Sequence, residues 1–259
     1  MSPQGIENVL QFHVIPDLPL VKAGDDLATL LAAGLSRLPV PVETGDVLVV
    51  AQKIVSKAEG RLIPLATVTP GAEAEALARE TDKDPRLVQL ILDESVSVMR
   101  KKPGVLIMRH RLGLVGAHAG IDQSNIEHEG GECALLLPRD PDASARGLRA
   151  ALAAALGHSL GIIIADSMNR AWRLGTIGGA IGAAGLTVLD DQRGTHDMFG
   201  RELKVTVINR VDSLAATATL LMGESIQRTP AVLIKGLAPE DSSHCARDIV
   251  RPLAEDMFQ

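Results

Sequence analysis

Short runs of aliphatic and β-branched residues punctuate the chain without a regular succession of helices between them. That pattern limits it to folds built on mixed or antiparallel sheets. The runs are LQFHVI (10–15), DVLVVAQ (46–52), GVLIMRHR (104–111), LGLVGAHAG (112–120), GIIIAD (161–166), ELKVTVINRV (202–211) and AVLIKG (231–236). The two runs within 104–120 read as a hairpin with Gly113 near its turn. In ELKVTVINRV, Leu203, Val205 and Val207 alternate with Lys204, Thr206 and Ile208, the period of a half-buried antiparallel strand. Helical spacing is confined to fewer segments. GDDLATLLAAGLSRL places Leu27, Leu30, Leu31 and Leu35 at helical spacing, with Asp25 and Asp26 in a favourable first turn. PGAEAEALARET opens with Pro70 in its first turn, and DPRLVQLILDESVSVMR continues the helical period. SARGLRAALAAALG stops at Gly157 and VDSLAATATLLMG closes at Gly223. The expectation is an α+β fold of mostly antiparallel sheets with packed helices. No internal repeat or long linker divides the 259 residues, so 1–259 reads as one domain, and any second subdomain must be intimately packed or inserted.

Several function classes fall away on composition. Aromatic residues make up 2% of the chain, with no Tyr, which removes the stacking platforms of single-strand binders. A formal net charge of -6 argues against a general nucleic-acid binder and leaves an anionic substrate only in a locally basic pocket. Cys133 and Cys245 have no metal-type spacing and suggest neither a disulfide framework nor a zinc site. The N-terminal stretch lacks a basic region followed by a long apolar core. The most apolar stretch, ALAAALGHSLGIIIAD, is broken by Gly157, His158 and Gly161. No membrane span and a cytoplasmic location are expected.

Three acids stand at the ends of expected elements: Asp122 in AGIDQSN, Asp166 after GIIIA, and Glu224 after LLMG. Each has a plain reading, since Asp and its neighbours cap helices and close Asx turns. Several carboxylates beside hydroxyl and amide residues also suit hard divalent ions. The arginines behind Asp166, Arg170 and Arg173, would then face phosphate. AQKIVSKAEGR (51–61) reads as a short polar turn carrying Lys53 and Lys57, suited to phosphate or merely solvated; the sequence contains neither GxxxxGK[ST] nor GxGxxG. The Gly-rich RLGTIGGAIGAAG (173–185) allows either phosphate approach or close packing. LDDQRGTHDMFGREL (189–203) gathers Asp190, Asp191, Arg193, His196, Asp197 and Arg201 in a turn-rich segment, where His196 is more often structural than catalytic.

Taken in order, LPLVKAGDDL, VVAQKIVSKAEGR, GIDQSN, IADSMNRAWRLG, AIGAAGL, DQRGTHDMFGRELKVT and LLMGESIQRTPAVLIKGL closely resemble the coenzyme F420-0:γ-glutamyl ligase family, across about residues 14 to 237. The resemblance implies a GTP- and divalent-metal-dependent amide ligase that adds L-glutamate, through a γ-linkage, to the deazaflavin precursor coenzyme F420-0. It implies an acyl-phosphate intermediate, a two-part α+β fold and an intertwined homodimer. By position it makes Asp122, Asp166, Ser167 and Glu224 ligands of Mg²⁺ or Mn²⁺ at two sites, and leaves room for K⁺. Pro16, Asp17, Leu18, Pro19, Gln52, Lys53, Lys57 and Asn125 would touch the nucleotide. So would Met222, Gly223, Glu224, Ser225, Ile226, Gln227, Arg228 and Thr229. Asp166, Arg170 and Arg173 become the candidate catalytic residues. The family commonly has Thr at the place of Ser167, often Asp-Glu where Asp212-Ser213 stands, and polar residues ahead of the AIG. Two other readings stay open: a related metal-dependent ligase for another carboxylate, and a non-catalytic nucleotide-binding paralogue.

Overall fold

The computed structural model describes residues 6–128, 130–169 and 171–257. Its strands, in chain order, are β1 (Ile6–Val14), β2 (Val47–Ala51), β3 (Leu62–Pro64), β4 (Ser95–Lys102), β5 (Val105–His110), β6 (Val115–Ala117), β7 (Cys133–Leu135), β8 (Gly161–Asn169), β9 (Thr176–Ala184), β10 (Leu189–Asp191), β11 (Val207–Asn209) and β12 (Ala231–Leu237). Its α-helices are α1 (Leu27–Leu35), α2 (Gln52–Ala58), α3 (Ala72–Thr81), α4 (Pro85–Asp93), α5 (Pro141–Leu156) and α6 (Arg210–Met222). Among the described residues no helix is long and apolar enough to cross a membrane.

The main sheet has the order β1-β12-β2-β8-β9. Its pairings are antiparallel except for β2 with β8, which run parallel from Val47 opposite Gly161 to Ala51 opposite Ala165. The unbroken apolar runs of β2, β8 and β12 follow from burial on both faces. On one face Leu48, Val50, Ile162, Ile164 and Leu233 pack under α1 and α5. On the other, Val49, Ile163, Val232 and Ile234 pack under Val211, Leu214 and Ala218 of α6. A third core lies apart from both, where Leu77, Leu87, Val88 and Ile91 of α3 and α4 meet Leu106, Met108 and Leu136. Side sheets β3-β7, β4-β5-β6 and β10-β11 complete the largely antiparallel fold. Asp26, Asp84, Asp140 and Asn209 cap the N-termini of α1, α4, α5 and α6.

Several sequence expectations need correcting. The helical reading of 84–100 stops at Asp93, because Ser95, Val96 and Val98 onward form β4, paired antiparallel with β5. The alternating run 202–211 yields only Val207–Asn209 as strand. Leu203 instead closes a turn, accepting from the Gly194 amide and donating to the Thr195 carbonyl. The polar turn expected at 51–61 is largely a helix, α2, starting directly behind β2. Pro70 precedes the N-cap Gly71 rather than opening α3, and Asp26 is the N-cap of α1 rather than a member of its first turn.

The Gly-rich 173–185 segment is mostly the buried strand β9, and its glycines serve close packing. A Cβ on Gly178 would lie 2.6 Å from the Ala215 carbonyl of α6. A Cβ on Gly182 would run into the Pro141 backbone at the start of α5. Strand β9 is thus pressed between two helices, which only residues without bulk permit.

One end of the main sheet collects most of the residues singled out above. The Ile15 amide donates to the Ala231 carbonyl at 3.0 Å, and the Ala51 amide to the Pro230 carbonyl at 2.8 Å. These bonds hold segment 16–19, the start of α2 and the loop after α6 at the ends of adjoining strands.

Candidate active site

Lys53 and Lys57 lie one turn apart on α2, on the side facing the 122–125 segment. That segment is delivered by an unusual turn. His118, Ala119 and Gly120 all adopt left-handed φ values of 53°, 55° and 70°. Asp122 follows, fixed by paired backbone hydrogen bonds with Leu135 of 2.8 and 3.1 Å. Its carboxylate forms an Asx turn, accepting from the Ser124 amide at 2.8 Å and the Ser124 hydroxyl at 2.8 Å. The same carboxylate accepts from the Lys53 ammonium at 2.6 Å. The turn reading and the charged reading of Asp122 therefore coexist.

Asp166 does not end its strand as the sequence suggests. Strand β8 continues to Asn169 because β9 pairs with it throughout, setting Asp166 opposite Gly179 and Ser167 opposite Gly178. Burial, reinforced by the charges of Asp122 and Glu224, pushes the Asp166 carboxyl up to about 7, against the Ser167 amide and the Lys53 ammonium. Burial would also raise Asp122, yet Lys53 and Ser124 hold its carboxyl below the ordinary range. Three acids from distant parts of the chain thus share one electrostatic neighbourhood, with Lys53 as a cation acting on both aspartates.

Further bonds close the group. The Lys57 ammonium donates to the Asn125 carbonyl at 2.8 Å, and the Asn125 side-chain amide to the Glu224 carbonyl at 3.4 Å. Glu224 is exposed at the head of the loop after α6, where Gly223 ends the helix. That loop is braced internally, by the Thr229 hydroxyl on the Met222 carbonyl at 2.7 Å and the Ser225 amide on the Gln227 side chain at 2.9 Å. The side chains of Ser225, Ile226, Gln227 and Arg228 are exposed, while Met222 is buried in the core beneath α6. The Pro16 and Asp17 carbonyls both accept from Arg37, at 2.9 and 3.2 Å, ahead of the half-buried Leu18 and the exposed Pro19. Gln52 is buried, and its side-chain Oε1 accepts from the Ser56 hydroxyl at 2.8 Å. Asp17, Asn125 and Arg228 each adopt a φ of 54–55°, left-handed conformations that cost non-glycine residues energy and concentrate at sites of function.

The arginines stand differently. Arg173 is exposed in the hairpin loop between β8 and β9, and Arg170 lies outside the described residues. Among the described residues, no three His, Cys, Asp or Glu side chains are gathered closely enough to hold a metal ion by themselves. The donor chemistry nonetheless fits a hard cation: three carboxylates and the Ser167 hydroxyl are all oxygen ligands, and their mutual repulsion is legible in Asp166. Two concavities lie elsewhere, one of about 410 Å³ beside α3 and α4 and one of about 380 Å³ beside the ends of α1 and α5. The acidic group sits instead at an open sheet end. Sequence reasoning gave no role to Asp212, which accepts from the Ala180 amide at 2.8 Å and from Asn209 at 2.6 Å, latching α6 to β9. Its only signal was an acid in a first helical turn.

Residues 17–236 match the family described as F420-0:Gamma-glutamyl ligase. Similar curated proteins carry the name coenzyme F420:L-glutamate ligase. The one from Methanopyrus kandleri is 43% identical over 96% of this chain and 98% of its own length. Those from Methanothermobacter thermautotrophicus and Methanocaldococcus jannaschii are 40% and 38% identical, over 95% and 94% of this chain and 97% and 94% of their own lengths.

Proposed function

Because the chain belongs to the F420-0:gamma-glutamyl ligase family, and so to the glutamate ligases of coenzyme F420 biosynthesis, we propose that it joins L-glutamate by a γ-linkage to the deazaflavin precursor coenzyme F420-0, at the expense of GTP. The observation that carries the reading is the convergence of Asp122, Asp166, Glu224, Lys53 and Lys57 at one end of the main sheet. Making an amide from a carboxylate needs activation of the acid. A carboxylate oxygen of the precursor attacks the terminal phosphorus of GTP, the bond to the bridging oxygen breaks, and GDP leaves. The amino group of glutamate then attacks the acyl carbon of the resulting acyl phosphate. Phosphate departs and the amine sheds a proton. Neither step needs a nucleophilic Ser or Cys.

What such a reaction asks of the protein is alignment and charge neutralisation. Lys57 and Lys53 would meet the nucleotide phosphates, with segment 16–19, Gln52, Asn125 and the 222–229 loop touching the rest of the nucleotide. Asp122, Asp166, Ser167 and Glu224 would hold Mg²⁺ or Mn²⁺ at two sites, with room for K⁺; bound there, the ions would offset the phosphate charge that builds during transfer. Arg173 belongs to the connection between β8 and β9, and it and Arg170 would meet substrate carboxylates or phosphate. The exposed apolar residues support a homodimer, since Trp172, Leu174 and Ile177 of the β8–β9 hairpin are 82%, 104% and 44% exposed and Leu220 of α6 is 83% exposed. The separate core under α3 and α4 supports two packed subdomains. The reaction is placed in the cytoplasm.

Phosphate and glutamylated product measured together test the reading. With GTP, Mn²⁺ or Mg²⁺, glutamate and the precursor, both should appear in equal amounts; leaving out precursor or glutamate should leave only slow phosphate release. Tight GTP binding without product across a panel of deazaflavin acids would overturn it in favour of a nucleotide-binding paralogue.

A further inference from the structure

The Lys53 ammonium has all its hydrogens engaged. It donates to Asp122 Oδ2 at 2.6 Å, to the Ser124 hydroxyl at 2.9 Å and to the Ser124 carbonyl at 3.2 Å. Asp122 is engaged in turn at both oxygens: Oδ2 takes Lys53 and the Ser124 hydroxyl, while Oδ1 takes the Ser124 amide. Lys53 is also the second residue of α2, a place where the helix amides disfavour a cation. The acids, not the helix, hold it there. Asp122 and Glu224 both bear on the buried Asp166, and Lys53 is a cation that acts on both aspartates.

We propose that Lys53 is the resident counter-cation of the acidic group: a divalent ion must displace its ammonium from Asp122, and the freed side chain then serves the nucleotide phosphates. The inference rests on the metal reading of these acids given above. An ammonium and a divalent ion cannot share Oδ2, because their repulsion at ligand distance in a partly desolvated site is large. Metal therefore binds the nucleotide-free protein against a built-in competitor. Nucleotide removes that competitor by giving Lys53 other oxygens to neutralise. The two ligands are coupled through one side chain, and the coupling is reciprocal. The protein gains a site in which Asp122 stays paired when no substrate is present, and whose metal affinity rises when the nucleotide arrives.

The test is Mn²⁺ titration followed by electron paramagnetic resonance, without nucleotide and then with GDP, on the wild type, Lys53→Met and Lys53→Arg. Without nucleotide, Lys53→Met should bind Mn²⁺ more tightly than the wild type, on the order of tenfold. Lys53→Arg, which keeps the charge, should stay near the wild type. GDP should tighten Mn²⁺ binding more in the wild type than in Lys53→Met. Equal or weaker nucleotide-free Mn²⁺ binding by Lys53→Met, with GDP-dependent Mn²⁺ binding intact in the wild type, overturns the inference and leaves the metal reading standing. Absence of Mn²⁺ binding in every protein, with and without GDP, removes both. If thermal melting shows that Lys53→Met does not fold, Ser124→Ala decides. It deletes one group holding the ammonium while keeping every charge, so it should tighten nucleotide-free Mn²⁺ binding by a smaller factor, and no tightening there also overturns the inference.

Discussion

Lys57 donates to the backbone carbonyl of Asn125 at 2.8 Å, across 68 positions of sequence, and so fixes helix α2 to the strained segment that carries Asp122. Burial, and then the charge of Lys53, pull the Lys57 ammonium below the ordinary lysine range. A phosphate placed against it would offset both effects. Lys57→Ala should therefore weaken GDP binding by roughly tenfold or more, the scale of one charge-assisted hydrogen bond, and leave glutamate affinity nearly unchanged. Calorimetric titration with GDP and metal decides; an unaltered affinity takes Lys57 out of the nucleotide site.

Asp166 is held in a paired strand, so its substitution by the isosteric amide should spare the fold. Asp166→Asn removes a carboxylate that burial and two neighbouring acids already disfavour. The variant should melt no lower than the wild type without metal, because a repulsive charge has gone. It should lose most turnover and most of the thermal shift that Mn²⁺ with GDP gives the wild type. Full activity in Asp166→Asn, or in wild type treated with a chelator, would remove metal from the reaction.

Glu94 joins α4 to β4 through a buried ion cluster. It pairs with Arg61 at 2.9 Å, Arg111 at 3.1 Å and the His110 ring at 3.3 Å, while His110 Nδ1 accepts from the Leu112 amide at 2.9 Å. Burial raises its carboxyl, but His110, Arg61 and Arg111 outweigh it and bring the value down to about 2. A carboxyl lowered on folding contributes stability that is present above its ordinary value of 4.5 and lost as pH falls toward 2. Glu94→Gln should cost roughly 3 kcal/mol at neutral pH, since it strands Arg61. In urea titrations the gap between the two proteins should narrow between pH 4.5 and pH 2. A gap independent of pH would mean that Glu94 acts by shape rather than by charge.

The main sheet was largely legible because β2, β8 and β12 bury both faces and must be written in Val, Ile and Leu. Strand β9 was not, since GGAIGAA has little strand propensity and is held extended by its ladder with β8, pressed between α5 and α6. Strand β4 hid behind the period of α4, whose apolar spacing runs into Val96 and Val98 without a breaker, and both of these are exposed. The short α2 hid because a polar segment of seven residues carries too few apolar positions to show a period. The acids were recognisable as types but not as a group. Asp166 lies in β8, Asp122 on a segment bridged to Leu135 and Glu224 in the loop after α6, and no local spacing encodes their shared neighbourhood. Their assignment came from resemblance; the Lys53–Asp122 contact that explains how the charges coexist came only from the structure.

Gly178 connects packing to the site. It lies opposite Ser167 in the β8–β9 ladder, one residue from the Gly179 that faces Asp166. A Cβ there would meet the Thr219 side chain and, at 2.6 Å, the Ala215 carbonyl. Thr219 is a side chain that can turn away, whereas the Ala215 carbonyl belongs to the helix backbone and cannot. Gly178→Ala should therefore push α6 and β9 apart and destabilise the protein by roughly 1–3 kcal/mol, the usual cost of overpacking. Adding Thr219→Ala should restore little of that, because the backbone contact persists. Moving β9 also moves the strand that positions Asp166 and Ser167, and it displaces the end of α6 from which Glu224 is carried. Mn²⁺ and GDP binding should fall along with stability in Gly178→Ala, by more than in Gly147→Ala on α5, where a Cβ meets nothing within 4 Å. Melting curves and Mn²⁺ titrations of the three variants measure both effects. Full recovery of stability by Thr219→Ala would show that the helix backbone is not what Gly178 protects.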